Sequence, residues 1–582
     1  MPAASKRTAV ARVVKSSRLP ARWPVLTSDG GWRIDTTRGT VPAFMSELTG
    51  PLARPRPAGR AVEWRARWVV WACCALSFAF RVPSLRWGLP YLLHPDEPTN
   101  FGVVLRMLKQ HDPNPHFFRY PSLFFYTNAL VQLAHHAVSR VLGGTHSLSD
   151  LPNMDLPVAG GGFSFQPSTF VVARLLSAAC GVTTVWVAYR IGRALSKDAR
   201  VGLLAASLVA VSPSVLRDSR WLAPDGMVTL TVTATLLASL SALASGSWKH
   251  YFWAATLTGL TASLKYNGAI VGLTVCSAAL LRDGPRAFRN PRLYAAPLIA
   301  IGAFLLTSPY VALDFRHFWR DFMLERAHYA RGHDGAEGNT LAFYAEYLLS
   351  WEGPAAVLAL AGLIFGVVRR DKGIALLAAF CAAYFCFINL FVMRNGQTLV
   401  PMVPALLVAA AWFATQAWVW LEPRLRARNL PDALGFGLAA LAVVLLVGFP
   451  LSGSMERTRP LLLKDNRELA SIWIESHIPE HSRIAVEAYG CYVDRARYSL
   501  TAIRTWDSRN YAWFRRHEDY LIFSGDSFNR YLEEPERYPV QAEGYRRLFR
   551  EFELVQAFDD RRHGAQILIY RTHGASAGPG DG

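Results

Sequence analysis

"YPSLFFYTNALVQLAHHAVSRVL", residues 120–142, is apolar enough to tempt a reading as a membrane span, and that decision sets the sidedness of everything after it. Long apolar runs recur from about residue 66 to about residue 451, and about 20 apolar residues suffice to cross a bilayer. The loops "RIGRALSKDAR" (190–200), "RDGPRAFRNPR" (282–292), "RRDK" (369–372) and "EPRLRARN" (422–429) are basic. Basic loops stay on the cytoplasmic side. Spans thread between them near 66–82, 170–194, 201–217, 226–246, 250–264, 266–281, 294–313, 353–368, 374–393, 398–421 and 433–451. If 120–142 were also a span, residues 143–169 would fall inside and the next span would start and end on one side. The segment also carries His135, His136 and Arg140. It reads as an amphipathic helix lying on the outer surface. "TNFGVVLRMLKQ" (99–110) is a second candidate of that kind. Residues 83–169 then form one external loop; the alternative is an extra span near 150–170.

The expected fold class is a polytopic α-helical membrane protein of eleven spans, N-terminus inside and C-terminus outside. Composition agrees. The chain has 582 residues, 52% hydrophobic and 18% charged, against about 25% charged in a soluble domain. A soluble enzyme would need many long buried helices with almost no polar face. The net charge is +19, and residues 1–67 hold thirteen Lys/Arg against four Asp/Glu. Residues 1–65, rich in Pro, Ser and Thr, read as a disordered cytoplasmic tail that fixes orientation rather than as a nucleic-acid arm. The first apolar run lies too far from Met1 for a cleavable signal peptide. Of seven cysteines, six lie in apolar segments and Cys491 stands alone; neither a metal spacing nor a disulfide framework emerges.

Composition shifts after Leu451. "RIAVEAY", "DYLIFS" and "QILIYRT" read as strands, and "NRELASIWIESHI" and "AEGYRRLFREF" as amphipathic helices. Residues 66–451 are thus the membrane domain, 452–572 an external soluble α/β domain, and 573–582 a disordered tail.

With this sidedness, polar residues gather on the outer face. "YLLHPDEPTN" (91–100) places Asp96 and Glu97 beside His94 and between two prolines. Adjacent acids repel and gain little structurally, so they point to function. "RDSRWLAPDGM" (217–227) brings Arg220 and Asp225, "SLKYNG" (263–268) brings Lys265 and Tyr266, "MRNGQ" (393–397) brings Arg394, and the loop 314–352 brings His328 and His333. Ionisable groups at membrane depth are costly and mark sites. Each also has a plainer reading: Asp225 as a helix cap, Lys265 snorkelling to headgroups, Arg394 on a lipid phosphate, the histidines merely solvated. A carboxylate can take the proton of an attacking hydroxyl or amine, and Lys and Arg can neutralise a leaving phosphate. Lacking a nucleotide-binding loop, the chain suggests a lipid-phosphate donor used outside the cytoplasm.

The order "HPDE", "FRYPSLFFY", "ARLLSAACGVTTVWVAYRIGRAL", "VSPSVLRDSRWLAPD", "SLKYNG", "SPYVALDFRHFWRDFMLERAHYARGH" and "MRNGQTLVPMVPALL" resembles the GT-C fold glycosyltransferases of the protein O-mannosyltransferase (family 39-like) superfamily, which includes bacterial aminoarabinose transferases. The match spans about residues 66–420. The resemblance implies an inverting glycosyltransferase that takes a sugar from a polyprenyl-phosphate carrier on the outer face of the bacterial inner membrane, in contact with the lipid bilayer, and gives it to a protein or glycolipid acceptor. It implies Asp96 as base with Glu97 beside it, and Lys265, Arg220 and Arg394 on the donor phosphate. His94, Tyr120, Asp225, Tyr266, His328 and His333 would line the cavity. Gln397–Thr398 replaces the Arg–Tyr pair many members carry ahead of Pro401. Related oligosaccharyltransferases hold a divalent ion; Asp96 and Asp225 could supply oxygens for one, but the expectation is no metal and no cofactor. The rival classes are a lipid-sugar flippase or transporter, and a non-catalytic envelope subunit. A transporter would be expected to show internal repeats, which are not evident.

Overall fold

The computed structural model describes residues 60–572 except 145–146, 152, 157–159, 197, 429–430 and 504–510. Of the tails expected at 1–65 and 573–582, residues 1–59 and 573–582 lie outside the described residues. The first helix, Arg60–Ala79, already begins within the stretch assigned to the N-terminal tail.

Each expected span contains helix, but the lengths differ. Among the described residues five helices are long and apolar enough to cross a membrane: Ala66–Arg86, Ser168–Ser196, Asp225–Ser245, Gly396–Ala427 and Asp432–His477. Thr340–Glu352 and Pro354–Val368 make a sixth if counted together, although they bend by 116° where they meet. Ala199–Val211, Pro291–Thr307 and Lys372–Ile388 are shorter apolar helices. The segment expected at 266–281 opens as a 3-10 turn, Tyr266–Gly272, before helix Leu273–Asp283. Proline and glycine explain two of the interruptions. Ser212–Pro213 ends Ala199–Val211 and starts a new helix whose Val215 N–H the Ser212 hydroxyl accepts at 3.3 Å. Gly353, at φ +56°, turns the chain between the bent pair.

Residues 122–141 do form a helix, and it lies across the end of the bundle. Its first turn meets two helix ends: Leu123 N–H donates to the Ser263 carbonyl at 3.2 Å, and Ser122 N–H to the Ser308 hydroxyl at 3.0 Å. Ten residues on, about 15 Å along the axis, the Gln132 amide donates to the Thr169 carbonyl at the start of Ser168–Ser196 (2.9 Å). A helix whose start touches the C-terminal ends of two bundle helices, and whose middle touches the N-terminal end of another, runs tangentially. Phe124, Phe125, Asn128 and Gln132 are buried, while Leu130, Val138 and Val141 are exposed on the other side. Such an exposed apolar face suits the bilayer interface. Residues 99–110 are likewise helical, within Asp96–Gln110. In place of a hidden span near 150–170 there is a small antiparallel sheet, Tyr91–Leu92, Gly162–Ser164 and Met154–Asp155, with Gly162–Ser164 in the middle.

The C-terminal domain is a five-stranded mixed sheet. In spatial order the strands are Ser499–Ile503, Arg483–Glu487, Tyr520–Ser524, Ile567–Arg571 and Glu553–Phe558. The first three are mutually parallel and the last two pairings antiparallel. Helices Asn466–His477 and Pro539–Glu551 contribute to cores on its two faces. The expected boundary at residue 452 is corrected: helix Asp432–Thr458 runs straight through it. The appearance of Glu456 and Arg457 marks emergence from apolar surroundings, and charge alone does not stop a helix. The chain turns only at Arg459–Leu462, where Pro460 sits.

Candidate active site

Helix Asp96–Gln110 begins with both acids in its first turn, where negative charge complements the helix dipole. Their side chains part there. Glu97 is fully buried and forms a two-pronged ion pair with Arg174, Nε to Oε1 at 2.8 Å and Nη2 to Oε2 at 2.6 Å. The Leu222 N–H also donates to Oε1 at 2.9 Å. Burial pushes this carboxyl upward, but the Arg174 charge and hydrogen bonds outweigh it and hold the group below its ordinary range. The expectation of Glu97 as a catalytic residue beside Asp96 is therefore corrected: its oxygens are committed to Arg174 and to the Leu222 backbone. Arg174 in turn donates to the Ser84 and Trp87 carbonyls, both at 2.9 Å, so the pair ties the loop after the first helix to Ser168–Ser196. An arginine inside an apolar helix was the available signal for this pairing.

Asp96 differs. Its carboxylate is half-buried and has no hydrogen-bond or ion-pair partner among the described residues. Its backbone N–H donates to His94 Nδ1 at 3.3 Å. The His94 ring stacks on Trp221, centroids 5.0 Å apart. Burial holds this imidazole below its usual pKa, against the pull of Glu97 and Asp96, which favours the neutral form. Asp96 lies within electrostatic reach of Tyr120 and Glu325.

Those two residues line a cavity of about 470 Å³, together with Arg119, Lys265, Tyr266 and Arg326 among others. The Lys265 ammonium reaches the Asp225 carboxylate at 2.8 Å. Asp225 opens helix Asp225–Ser245 without capping it; its charge complements the helix dipole while it pairs with Lys265. Tyr266 donates its hydroxyl to the Phe118 carbonyl at 3.0 Å. Arg119, Glu325 and Arg326 were not singled out in the sequence, although each sits in a quoted stretch, "FRYPSLFFY" or "ERAHYARGH". Burial raises the Glu325 carboxyl, and the nearby Arg119 and Lys265 charges offset this only in part. A second, apolar groove of about 430 Å³ shares Tyr266 and Ala269 with the cavity. It continues between helices past Gly259, Gly272 and Ala300.

Four expected residues lie elsewhere. Arg220 is buried away from the cavity lining and donates to the Phe80 carbonyl at 3.1 Å and the Thr458 hydroxyl at 2.5 Å, joining the first and last helices of the bundle. Arg394 donates to the Gly335 carbonyl (3.2 Å) and faces Glu534 of the C-terminal domain at 3.7 Å. His328 and His333 are exposed and pack against each other, centroids 5.7 Å apart, outside the lining. The phosphate-binding expectation for Arg220 and Arg394 is corrected, because their guanidinium groups serve contacts between elements. A divalent ion shared by Asp96 and Asp225 does not fit these residues. Asp225 already carries the Lys265 ammonium, and among the described residues no group of three His, Cys, Asp or Glu is placed to hold a metal.

The geometry belongs to a recognisable class. A model of the dolichyl-phosphate-mannose-protein mannosyltransferase family matches residues 160–312, which include Arg174, Asp225 and Lys265. The archaeal oligosaccharyltransferase AglB from Archaeoglobus fulgidus, solved with an inhibitory peptide and a dolichol-phosphate, superposes with a TM-score of 0.52 at 13% identity, covering 88% of this chain and 75% of its own. ArnT from Cupriavidus metallidurans, solved with undecaprenyl phosphate, gives 0.50 at 14% identity, covering 89% of this chain and 100% of its own. At such identities the likeness concerns the fold. No protein of curated function matches the chain in sequence. The chain has the GT-C fold of these membrane glycosyltransferases. Its segment 160–312 is similar to the mannosyltransferase family.

Proposed function

We propose that this chain transfers a sugar from a polyprenyl-phosphate carrier to an envelope acceptor, protein or glycolipid, with inversion at the anomeric carbon. The observation that carries the reading is the pairing of one cavity with one groove. The cavity is lined by Lys265, Arg119 and Arg326, and an uncommitted Asp96 lies within electrostatic reach of its Tyr120 and Glu325; the apolar groove leads away from it through Tyr266 and Ala269. A phosphate headgroup suits the first and an isoprenoid tail the second.

In this mechanism Asp96 accepts the proton of the acceptor hydroxyl or amine as that atom attacks C1 of the sugar. The C1–oxygen bond to phosphate breaks, and its electron pair leaves with polyprenyl phosphate. Lys265, Arg119 and Arg326 meet the charge that develops on the leaving oxygen. Glu97, held by Arg174, fixes the helix that carries Asp96. We infer eleven-span threading with the N-terminus cytoplasmic, which puts the cavity and the C-terminal domain on the extracytoplasmic face of a bacterial inner membrane. The test is to reconstitute the purified chain with a labelled polyprenyl-phosphate sugar and envelope extract. Label should appear in a glycoconjugate and free polyprenyl phosphate should accumulate. Label that crosses the bilayer while still attached to its carrier would support a flippase instead.

A further inference from the structure

The C-terminal domain does more than cover the bundle: it grips the segment that carries Asp96. Asp465 accepts both prongs of the Arg467 guanidinium, Nε to Oδ1 at 2.8 Å and Nη2 to Oδ2 at 3.0 Å. The remaining Nη1 donates to the Leu93 carbonyl at 3.0 Å. The same guanidinium lies over the Trp87 ring, 5.8 Å from its centroid. Trp87 packs against Trp221, on which His94 stacks. Leu93 directly precedes His94 and stands three residues before Asp96.

A second grip lies on the far edge of the small sheet. The Tyr492 hydroxyl donates to Asp155 Oδ2 at 2.8 Å, and Arg495 pairs with the same carboxylate. Gly160, at φ +85°, lets the domain come close, because a Cβ there would run into the Cys491 carbonyl oxygen. Strand Tyr91–Leu92, which leads into His94 and Asp96, pairs with Gly162–Phe163 of the central strand. The domain thus holds both edges of a sheet whose first strand delivers the proposed base.

We propose that Arg467 is a positioning residue for sugar transfer, fixing the backbone before His94 so that Asp96 meets the acceptor. This inference rests on the proposed function above. A planar guanidinium held by a two-pronged carboxylate contact is rigid, which a lysine would not reproduce. The groups that would hold the donor phosphate stand on other elements, so donor binding is independent of this contact.

The test compares full-length wild type, Arg467→Ala and Arg467→Lys in proteoliposomes. Two readouts are taken: transfer from a labelled polyprenyl-phosphate sugar, and hydrogen exchange of residues 91–97. Misplacement of a catalytic group by an ångström costs on the order of 100-fold. Arg467→Ala is expected to lower kcat about tenfold or more with donor KM within about twofold, to speed exchange at 91–97, and to leave exchange at 225–245 unchanged. Arg467→Lys should recover part of kcat. Unchanged kcat, a loss that appears in donor KM, or unchanged exchange at 91–97 would overturn the assignment. If wild type transfers no sugar, the function reading falls, and the exchange comparison still decides whether Arg467 fixes the loop. If Arg467→Ala does not fold, Tyr492→Phe removes the second grip and carries the same expectation at smaller size.

Discussion

Asp96→Asn and Glu97→Gln should separate two roles that adjacent positions conceal. Glu97→Gln strips the charge from a buried pair and leaves Arg174 uncompensated, a change that costs about 3–5 kcal/mol. Its thermal unfolding should shift clearly downward, and an unshifted transition would contradict the pairing. Asp96→Asn removes no hydrogen bond among the described residues and should unfold like wild type. Lys265→Ala should weaken binding of polyprenyl phosphate while freeing the Asp225 carboxylate; unchanged affinity would return Lys265 to a purely structural role. Because Asp225 is held by an ammonium rather than poised for a cation, EDTA should leave transfer intact. At this scale the acidic pair stood out in the sequence through the repulsion it would suffer. Which of the two acids was free was not legible, because that depends on Arg174, 77 residues away. Arg220 and Arg394 misled for a similar reason: a guanidinium at a helix end can serve a neighbouring carbonyl or hydroxyl as readily as a ligand.

Elements were legible where one period dominated. Helix Ser122–Val141 was set apart from the expected spans by its histidines and by the parity of the basic loops; in the structure it contacts Ser263, Ser308 and Thr169. The small sheet at 91–92, 154–155 and 162–164 was not read, since strands of two or three residues carry no periodicity. Strands Ser499–Ile503 and Glu553–Phe558 were likewise missed, both at sheet edges and partly exposed. In the same domain Glu487 is fully buried at the end of a central strand, accepting from the Ser524 N–H at 2.9 Å and from the Tyr545 hydroxyl. Burial pushes its carboxyl up to about 8. The folded state therefore favours the protonated form, and the associated stability is full below the unfolded carboxyl's range near 4.5. That stability falls as pH rises toward 8. Full-length protein should lose thermal stability in this domain from pH 5 to pH 9, and Glu487→Gln should flatten the trend. An equally steep trend in the variant would remove Glu487 as its source.

At the scale of the whole molecule, the surface helix, the cavity and the C-terminal domain occupy one end of the bundle. Contacts from Arg467 to Leu93, Tyr492 to Asp155 and Arg537 to Glu337 tie the C-terminal domain to the loops at that end. The threading from basic loops assigns that end to the outside. Single cysteines in place of Ser139 and Ser476, in a background without native cysteines, should react with an impermeant reagent applied from outside, and one in place of Arg286 only after the membrane is opened. Labelling of Ser139→Cys and Ser476→Cys from opposite faces would break the threading. The central claim is that Asp96 takes the acceptor proton over a phosphate held in the adjoining cavity. Its most direct test is Asp96→Asn in proteoliposomes, assayed for polyprenyl-phosphate binding and for sugar transfer together. Wild-type binding with transfer reduced at least 100-fold is the predicted result; transfer near the wild-type rate would contradict it.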